Sequence, residues 1–110
     1  HIARFLNDSG VICCASFVAP NADSREHAIS IIGKDNCYLV FCNAPIEVCI
    51  QRDPSGLYAA AEGSDSTDIP GLSFPYEPPE TTHLELNTDA LTIEECLDQV
   101  INLMQQEEII

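Results

Sequence analysis

The chain contains few basic residues. Only 4 Lys and Arg accompany 18 Asp and Glu, so the formal net charge is −14. Binding to nucleic acid depends on a stripe of cations that displaces counterions from the phosphates, and this sequence contains no such stripe. An anionic membrane surface is disfavoured for the same reason. The composition therefore excludes a nucleic-acid partner and a membrane partner, and the charge favours solubility.

The sequence also lacks a long apolar run and a leader sequence. No stretch approaches the ~20 apolar residues of a membrane-spanning helix, and no signal-peptide pattern is present. The chain begins at His1, without an initiator Met, in a segment that is typical of the middle of a helix. We therefore expect residues upstream of His1, although a processed or cropped start explains this beginning equally well.

None of the six cysteines forms a C-x-x-C pair. Several of them lie in or near apolar runs, where a cysteine behaves as a small hydrophobic residue. This placement favours reduced, buried thiols over metal ligands or disulfides. Because disulfides persist in oxidising compartments, the absence of a pairing pattern predicts a reducing, cytoplasmic location.

Apolar periodicity predicts helices and strands in alternation. The predicted helices span residues 1–7, 25–32, 45–51, 55–62 and 92–104, and the predicted strands span 11–18, 37–42 and 84–87. The strands at 11–18 and 37–42 are almost continuously apolar, which is typical of parallel strands buried on both faces. We therefore expect one α/β domain over residues 1–110. Three strands are few for a parallel sheet, so we expect its N-terminal part to be missing.

Residues 63–80, called the lid below, differ in composition from the rest of the chain. They hold four of the seven prolines, two glycines and several acids. Apolar side chains such as Leu72 and Phe74 can still pack in such a segment. We therefore predict a long ordered loop that lies within the domain.

The sequence contains no recognisable phosphate-binding loop. Its one Gly-Lys pair, Gly33-Lys34, is followed by Asp35, and Ala28 stands where the first glycine of the motif is required. The three histidines and Ser16 likewise show no triad, metal or nucleophile-elbow spacing. We therefore name no catalytic residue and no metal ligand. We expect a ligand site beyond the carboxyl ends of the strands, as in other open α/β sheets.

Three motifs resemble those of the adenylyl-sulfate kinase family. Ser16–Pro20 corresponds to the family's S-F-I-S-P, Cys49–Tyr58 to C-E-x-R-D-x-K-G-L-Y, and Pro75–Glu80 to P-Y-E-x-P-E. Members of this family phosphorylate the 3′-hydroxyl of adenylyl sulfate with ATP and Mg²⁺. The resemblance implies a three-layer parallel sheet of the P-loop nucleoside-triphosphate kinase type. It also implies that this chain is a C-terminal portion without the phosphate loop.

The resemblance assigns two sets of binding positions. The substrate set, which would contact adenylyl sulfate, is Phe17, Val18, Ala19, Pro20, Arg25, Ser55, Ile69 and Pro70. The ATP set is Arg52, which would lie against the adenine, with Thr88 and Cys96 flanking the nucleotide. From the residues alone, Phe17 and Val18 are equally well explained as strand core. Arg52 is likewise explained as a cation that stabilises a helix end.

The chain departs from the family at several of these positions. The family's Ser is replaced by Ala19, its Lys residues by Ser55 and Thr67, and its Phe-Thr pair by Ile69-Pro70. From Asp53 to Glu80 there are six acidic residues and no Lys or Arg. Phosphoryl transfer depends on well-placed cations, and losing one donor costs about 2.7–4 kcal/mol of barrier. We therefore do not expect this chain alone to be a competent kinase.

Three interpretations remain open from the sequence. The chain is a piece of a divergent kinase whose complete domain uses ATP and Mg²⁺. Alternatively, it is a non-catalytic nucleotide-sensing module, fused to or associated with an ATP sulfurylase. The third interpretation is a structural interaction domain or a degraded remnant of the kinase domain, and a homodimer is compatible with each of the three.

Overall fold

The computed structural model describes residues 1–63 and 68–110 and has an α/β architecture. Five α-helices occur in this part of the chain: α1 (Ile2–Asp8), α2 (Ala22–Ile32), α3 (Ile46–Arg52), α4 (Leu57–Ala61) and α5 (Ile93–Gln106). A 3₁₀ helix spans Lys34–Asn36, and the two strands are β1 (Val40–Asn43) and β2 (Leu84–Asn87). The predicted α/β class is confirmed.

Strands β1 and β2 form a parallel pair. Val40 lies opposite Leu84, and the register continues to Asn43 opposite Asn87. Parallel strands need a long crossover, and α3, α4 and the lid make up this one. Both strands consequently end at the same edge of the sheet. There Thr88 donates hydrogen bonds to the Asn43 carbonyl from its backbone nitrogen at 2.9 Å and from Oγ1 at 3.2 Å.

The strand predicted over residues 11–18 is wrong. This segment has no regular secondary structure, and Phe17 and Val18 are 84% and 62% exposed. A strand requires a neighbour that accepts and donates its ladder hydrogen bonds, and no strand among the described residues pairs with this segment. The apolar run indicates β propensity, but propensity alone cannot supply the partner strand.

The ladder between β1 and β2 begins later than the predicted strand over 37–42. The Leu39 backbone nitrogen donates to Nδ1 of the His83 side chain at 2.9 Å. The His83 backbone nitrogen in turn donates to the Leu39 carbonyl at 3.0 Å. Because a side chain replaces a backbone acceptor at this point, regular pairing starts one residue further on, at Val40.

The apolar core is small. Ile69 and Leu86 are the buried apolar side chains of the described residues, each 4% exposed. Other large apolar side chains are open to solvent, including Ile93 at 88% and Ile2 at 78%. The radius of gyration is 15.8 Å, above the ~13 Å typical of a domain of this length. Loop contacts therefore hold together parts of the chain that apolar packing does not.

The lid is described from Asp68 onward. Ile69 begins a tight turn, because its carbonyl accepts hydrogen bonds from the backbone nitrogens of Leu72 and Ser73. Gly71 adopts a φ of 84° in this turn, and its nitrogen donates to the Phe74 carbonyl at 2.7 Å. Thr67, which stands at a family Lys position, lies outside the described residues.

Helix α5 begins with a capping box, as the Thr92 and Glu95 spacing predicts. The Glu95 nitrogen donates to Thr92 Oγ1 at 3.2 Å, and the Thr92 nitrogen donates to Glu95 Oε2 at 2.7 Å. Hydrogen bonds to the Glu95 carboxylate, first from the Thr92 backbone and then from the Thr92 side chain, lower the pKa of Glu95. The ionised carboxylate is therefore the form that starts this helix.

We predict that removing this cap destabilises the chain. Thr92→Ala should lower the free energy of unfolding by about 1 kcal/mol, whereas Thr92→Ser retains the hydroxyl and should lower it less. Because the folded-state pKa of Glu95 is lowered, its contribution is complete above the ordinary pKa of glutamate. The contribution disappears as the pH falls through the lowered value. Urea unfolding at neutral and acidic pH measures both effects, and equal stabilities of Thr92→Ala and the parent would contradict the prediction.

Candidate functional site

A cleft of about 530 Å³ lies beside the carboxyl end of β1. Three segments line most of it: the loop at 15–19, the residues 39–44 of and around β1, and lid residues between 70 and 79. Ligands of open parallel sheets bind at this edge, because the loops that follow the strands converge there. Its volume also lies within the 300–1,000 Å³ typical of small-molecule sites.

Aromatic side chains form much of the cleft. The rings of Phe41 and Tyr76 stack with centroids 6.1 Å apart and planes 7° from parallel. Phe17 and Tyr58 also line the cavity. Burial, followed by the nearby Cys49 and Asp53, raises the pKa of Tyr58, so its phenol is protonated at neutral pH. The cleft therefore offers flat apolar surfaces with few charges.

Arg25 is the buried cation of the cleft, at 9% exposure. From the first turn of α2, its Nη1 donates to the Ala19 carbonyl and its Nη2 donates to the Glu77 carbonyl, each at 2.6 Å. The guanidinium carbon lies 5.8 Å from the centroid of the Tyr76 ring. No carboxylate among residues 1–63 and 68–110 forms an ion pair with it. Its charge is therefore satisfied by backbone carbonyls and an aromatic face.

Glu77 completes the connection between the loop and the lid. Its backbone nitrogen donates to the Pro20 carbonyl at 2.9 Å, and its Oε2 accepts from the Ala22 nitrogen at 2.8 Å. Ala22 is the first residue of α2, where a carboxylate is favoured by the helix dipole. We call these two hydrogen bonds, with the two from Arg25, the Arg25 clamp.

Ala19 has an unusual backbone conformation. Its φ of 42° falls in the left-handed region, which an alanine adopts only at an energetic cost. The carbonyl of this residue is an acceptor of the Arg25 clamp. The strained residue therefore lines the cleft and also binds the guanidinium, at the position where the family carries Ser.

The Arg-Asp-Pro-x-Gly motif forms the turn between α3 and α4. The Asp53 carboxylate accepts hydrogen bonds from the nitrogens of Tyr58 at 3.1 Å and Ala59 at 3.0 Å. Gly56 has a φ of 71°, and its nitrogen donates to the Asp53 carbonyl at 3.1 Å. This turn sets the start of α4 and thereby places Tyr58 at the cleft.

We predict that the turn requires glycine at position 56. Gly56→Ala has room for a methyl group but forces alanine into the left-handed region, at a cost of about 1–2 kcal/mol. Gly63→Ala is the matched control, since it also meets open space and lacks a positive φ. Its effect should stay within about 0.5 kcal/mol. Chemical unfolding of both variants provides the comparison, and an equal loss of stability would argue against the prediction.

The cleft brings together five of the eight predicted substrate residues. These are Phe17, Val18, Ala19, Arg25 and Pro70. Pro20 contacts the cleft region through its carbonyl in the Arg25 clamp. Ser55, exposed in the turn before α4, and Ile69, buried in the lid, are not among the residues that line the cavity. The binding roles of these residues stay predictions.

The predicted ATP set lies outside this cleft. Arg52 ends α3, and its exposed side chain has no hydrogen-bond or ion-pair partner within the described part of the chain. Thr88 joins the ends of the two strands, and Cys96 lies in the first half of α5. Their contacts with a nucleotide also stay predictions.

Several residues of the cleft were not singled out from the sequence. Tyr76 and Glu77 belong to the quoted Pro-Tyr-Glu motif, so the motif itself was the available signal. In the sequence, nothing distinguishes Phe41 from other apolar strand residues or Tyr58 from other helix residues. Their role depends on the long-range approach of the lid to β1, which local periodicity does not contain.

A second cleft, of about 360 Å³, lies near the amino ends of the two strands. Lys34, Cys37 and His83 are among the residues that line it. Burial raises the pKa of the Cys37 thiol, which keeps the thiol protonated at neutral pH. The His83 side chain already accepts a hydrogen bond from the Leu39 nitrogen through Nδ1, and its ring centroid lies 5.0 Å from that of Tyr38. This cleft therefore offers no activated nucleophile.

Residues 1–63 and 68–110 lack two further kinds of feature. No group of three or more His, Cys, Asp or Glu is arranged to hold a metal ion there. Across the same residues, every helix is too short or too polar to cross a bilayer.

Comparison of the sequence with known protein families places the chain in a kinase family. The family model for adenylylsulphate kinase matches residues 1–87, and the chain belongs to this family. An adenylyl-sulfate kinase of Bacteroides thetaiotaomicron is 40% identical over 103 residues, which are 94% of this chain and 51% of that protein. One from Halothermothrix orenii is 40% identical over 105 residues, 96% of this chain and 56% of that protein. The chain thus spans about half the length of these relatives.

A longer relative combines two activities in one polypeptide. The bifunctional enzyme CysN/CysC of Rhodopirellula baltica is 37% identical over 105 residues. These residues are 96% of this chain and 16% of that enzyme.

Proposed function

We propose that this chain forms the adenylyl-sulfate-binding part of a P-loop kinase domain of three-layer architecture. The complete domain would phosphorylate adenylyl sulfate to 3′-phosphoadenylyl sulfate in sulfate assimilation. One observation carries this proposal. The cleft gathers Phe17, Val18 and Ala19 of the family's S-F-I-S-P motif against the stacked rings of Phe41 and Tyr76. This is the segment that the family resemblance assigns to the substrate.

The chemistry of the cleft suits the adenosine part of this substrate. Aromatic rings provide flat apolar surface for a purine, and offset stacking adds about 0.5–1.5 kcal/mol beyond the area buried. Asn43, at the end of β1, is a polar residue that lines the cleft, and its Nδ2 donates to Glu85 Oε1 at 2.9 Å. A nucleotide with a compact purine therefore matches the cleft better than a flexible polar substrate does.

The residues present do not fit the phosphates of ATP or a Mg²⁺ ion. The sequence has no glycine-rich phosphate loop, and the described residues contain no ligand group arranged for a metal. Among the residues lining the cleft, Arg25 is the basic one, and its Nη atoms already hold carbonyls. We therefore propose ATP and Mg²⁺ for the complete family domain only, and derive no catalytic step for this chain.

The binding proposal predicts a measurable affinity for adenylyl sulfate. Isothermal titration calorimetry of the chain with adenylyl sulfate and with 3′-phosphoadenylyl sulfate should give saturable heats. Phe17→Ala should weaken binding about fivefold to tenfold, since one aromatic contact is worth about 1 kcal/mol. Phe5→Ala, at a residue 70% exposed and outside the cleft, is the matched control and should bind as the parent does. The absence of heat with both nucleotides would refute the binding proposal.

A second candidate function is nucleotide sensing without phosphoryl transfer. The observation that favours it is the absence of Lys and Arg from Asp53 to Glu80, together with Ala19 and Ser55 at family Ser and Lys positions. Fusion to, or association with, an ATP sulfurylase would be the setting for such a module. The bifunctional Rhodopirellula baltica relative shows that this family occurs in longer, two-activity chains.

A coupled kinase assay separates the two candidates. It should be performed on the full-length protein that contains this chain, with Ala19→Ser and Ser55→Lys tested singly and together. If kinase activity has been weakened at these positions, Ser55→Lys should raise kcat by about 10²-fold, the effect of one well-placed cation. Binding of adenylyl sulfate without turnover, even in the double variant, would favour the sensing function.

A further inference from the structure

We propose that Arg25 is a positioning residue that fixes the two sides of the cleft relative to each other, and that it does not bind the anion of the substrate. This inference rests on the proposed function. It changes the role that the family resemblance implies for this residue, from a contact with adenylyl sulfate to a link between the loop at 19–20 and the lid at 76–77.

Two of the five N–H donors of the guanidinium bind backbone carbonyls, one on each terminal nitrogen. Its two terminal nitrogens each hold a carbonyl at 2.6 Å, one from Ala19 and one from Glu77. Ala19 precedes Arg25 by 6 residues, and Glu77 follows it by 52 residues. The two carbonyls therefore lie 58 positions apart in the chain. A residue that is 9% exposed and bridges two such segments cannot turn towards a ligand without releasing both.

The bridge also controls the aromatic side of the cleft. Tyr76 precedes Glu77 directly, and its ring centroid lies 5.8 Å from the guanidinium carbon and 6.1 Å from the Phe41 centroid. Cation–π attraction and ring stacking therefore both act on this side chain. If the guanidinium is lost, the lid segment at 76–77 loses a hydrogen bond and Tyr76 loses its contact with the cation.

The same residue stabilises a costly backbone conformation. Ala19 remains at a φ of 42° while its carbonyl accepts from Arg25. Strained conformations persist where the surrounding contacts over-determine them. Weakening the guanidinium contact should therefore let Ala19 relax and move Phe17 and Val18, which line the cleft two residues and one residue earlier.

Arg25→Lys tests the inference in two ways. Lysine keeps the charge but cannot hold two carbonyls in a fixed fork. Hydrogen exchange measured by NMR should accelerate about tenfold or more at the Glu77 and Ala22 amides, the factor expected for one lost hydrogen bond to a charged group. The Cys96 amide, bonded within α5 to the Thr92 carbonyl, is the internal control and should be unchanged. Equal acceleration at Cys96, or none at Glu77, would overturn the inference.

Two ligands distinguish positioning from anion binding. Adenosine lacks the anion, and adenylyl sulfate carries it. A positioning role predicts that Arg25→Lys weakens the binding of both by the same factor in calorimetry. Loss of affinity for adenylyl sulfate alone would assign Arg25 to the anion and refute the inference. If the parent chain binds neither ligand, the proposed function fails, and the exchange rates alone decide the role of Arg25.

A second-site substitution provides a rescue test. Rescue is not expected if Arg25→Lys merely lowers the stability of the fold. Glycine adopts a positive φ without strain, so Ala19→Gly should make the loop conformation less dependent on its arginine. In the Arg25→Lys background, Ala19→Gly should restore at least half of the lost free energy of adenosine binding. A double variant that binds no better than Arg25→Lys would contradict the role assigned to Ala19 in the clamp.

Discussion

The contact between the Arg25 guanidinium and two backbone carbonyls is the interaction on which the cleft depends. A buried charge is unfavourable unless polar groups surround it, and here the Ala19 and Glu77 carbonyls provide them at 2.6 Å. The requirement acts in both directions. The cation needs the carbonyls, and the loop and the lid need the cation, because the chain has little apolar packing to bring them together.

The shortage of apolar packing is visible throughout the described residues. The core of this part of the chain contains two buried apolar side chains, whereas apolar residues in α1, in the loop at 11–18 and in α5 face solvent. Under these conditions, hydrogen bonds with defined directions determine the relative placement of segments. The Glu77 carboxylate at the start of α2 and the Asp53 carboxylate at the start of α4 illustrate this. Each acidic side chain stabilises a helix terminus that would otherwise leave its amides unpaired.

The sequence predicts local features of this fold well. The helix that starts at the Thr92 capping box depends on neighbours within a few residues. The strand Leu84–Asn87 is predicted by its local alternation, and it forms because β1 pairs with it. The strand expected over 11–18 fails because pairing depends on a distant partner. For the cleft, the motif around Ser16–Pro20 identifies one side. The approach of Tyr76 to Phe41 joins segments 35 positions apart and has no local signature.

The parallel pairing of β1 and β2 has a consequence for the order in which the chain folds. The contact between Leu39 and His83 at the start of the sheet closes a loop across 44 positions. Such a loop loses chain entropy before its contacts form, and non-local pairings of this kind slow folding. The capping box of α5 is a contact within one helical turn, whereas the sheet and the cleft beside it depend on this non-local closure. The cleft therefore exists only in molecules in which the loop between Leu39 and His83 has closed.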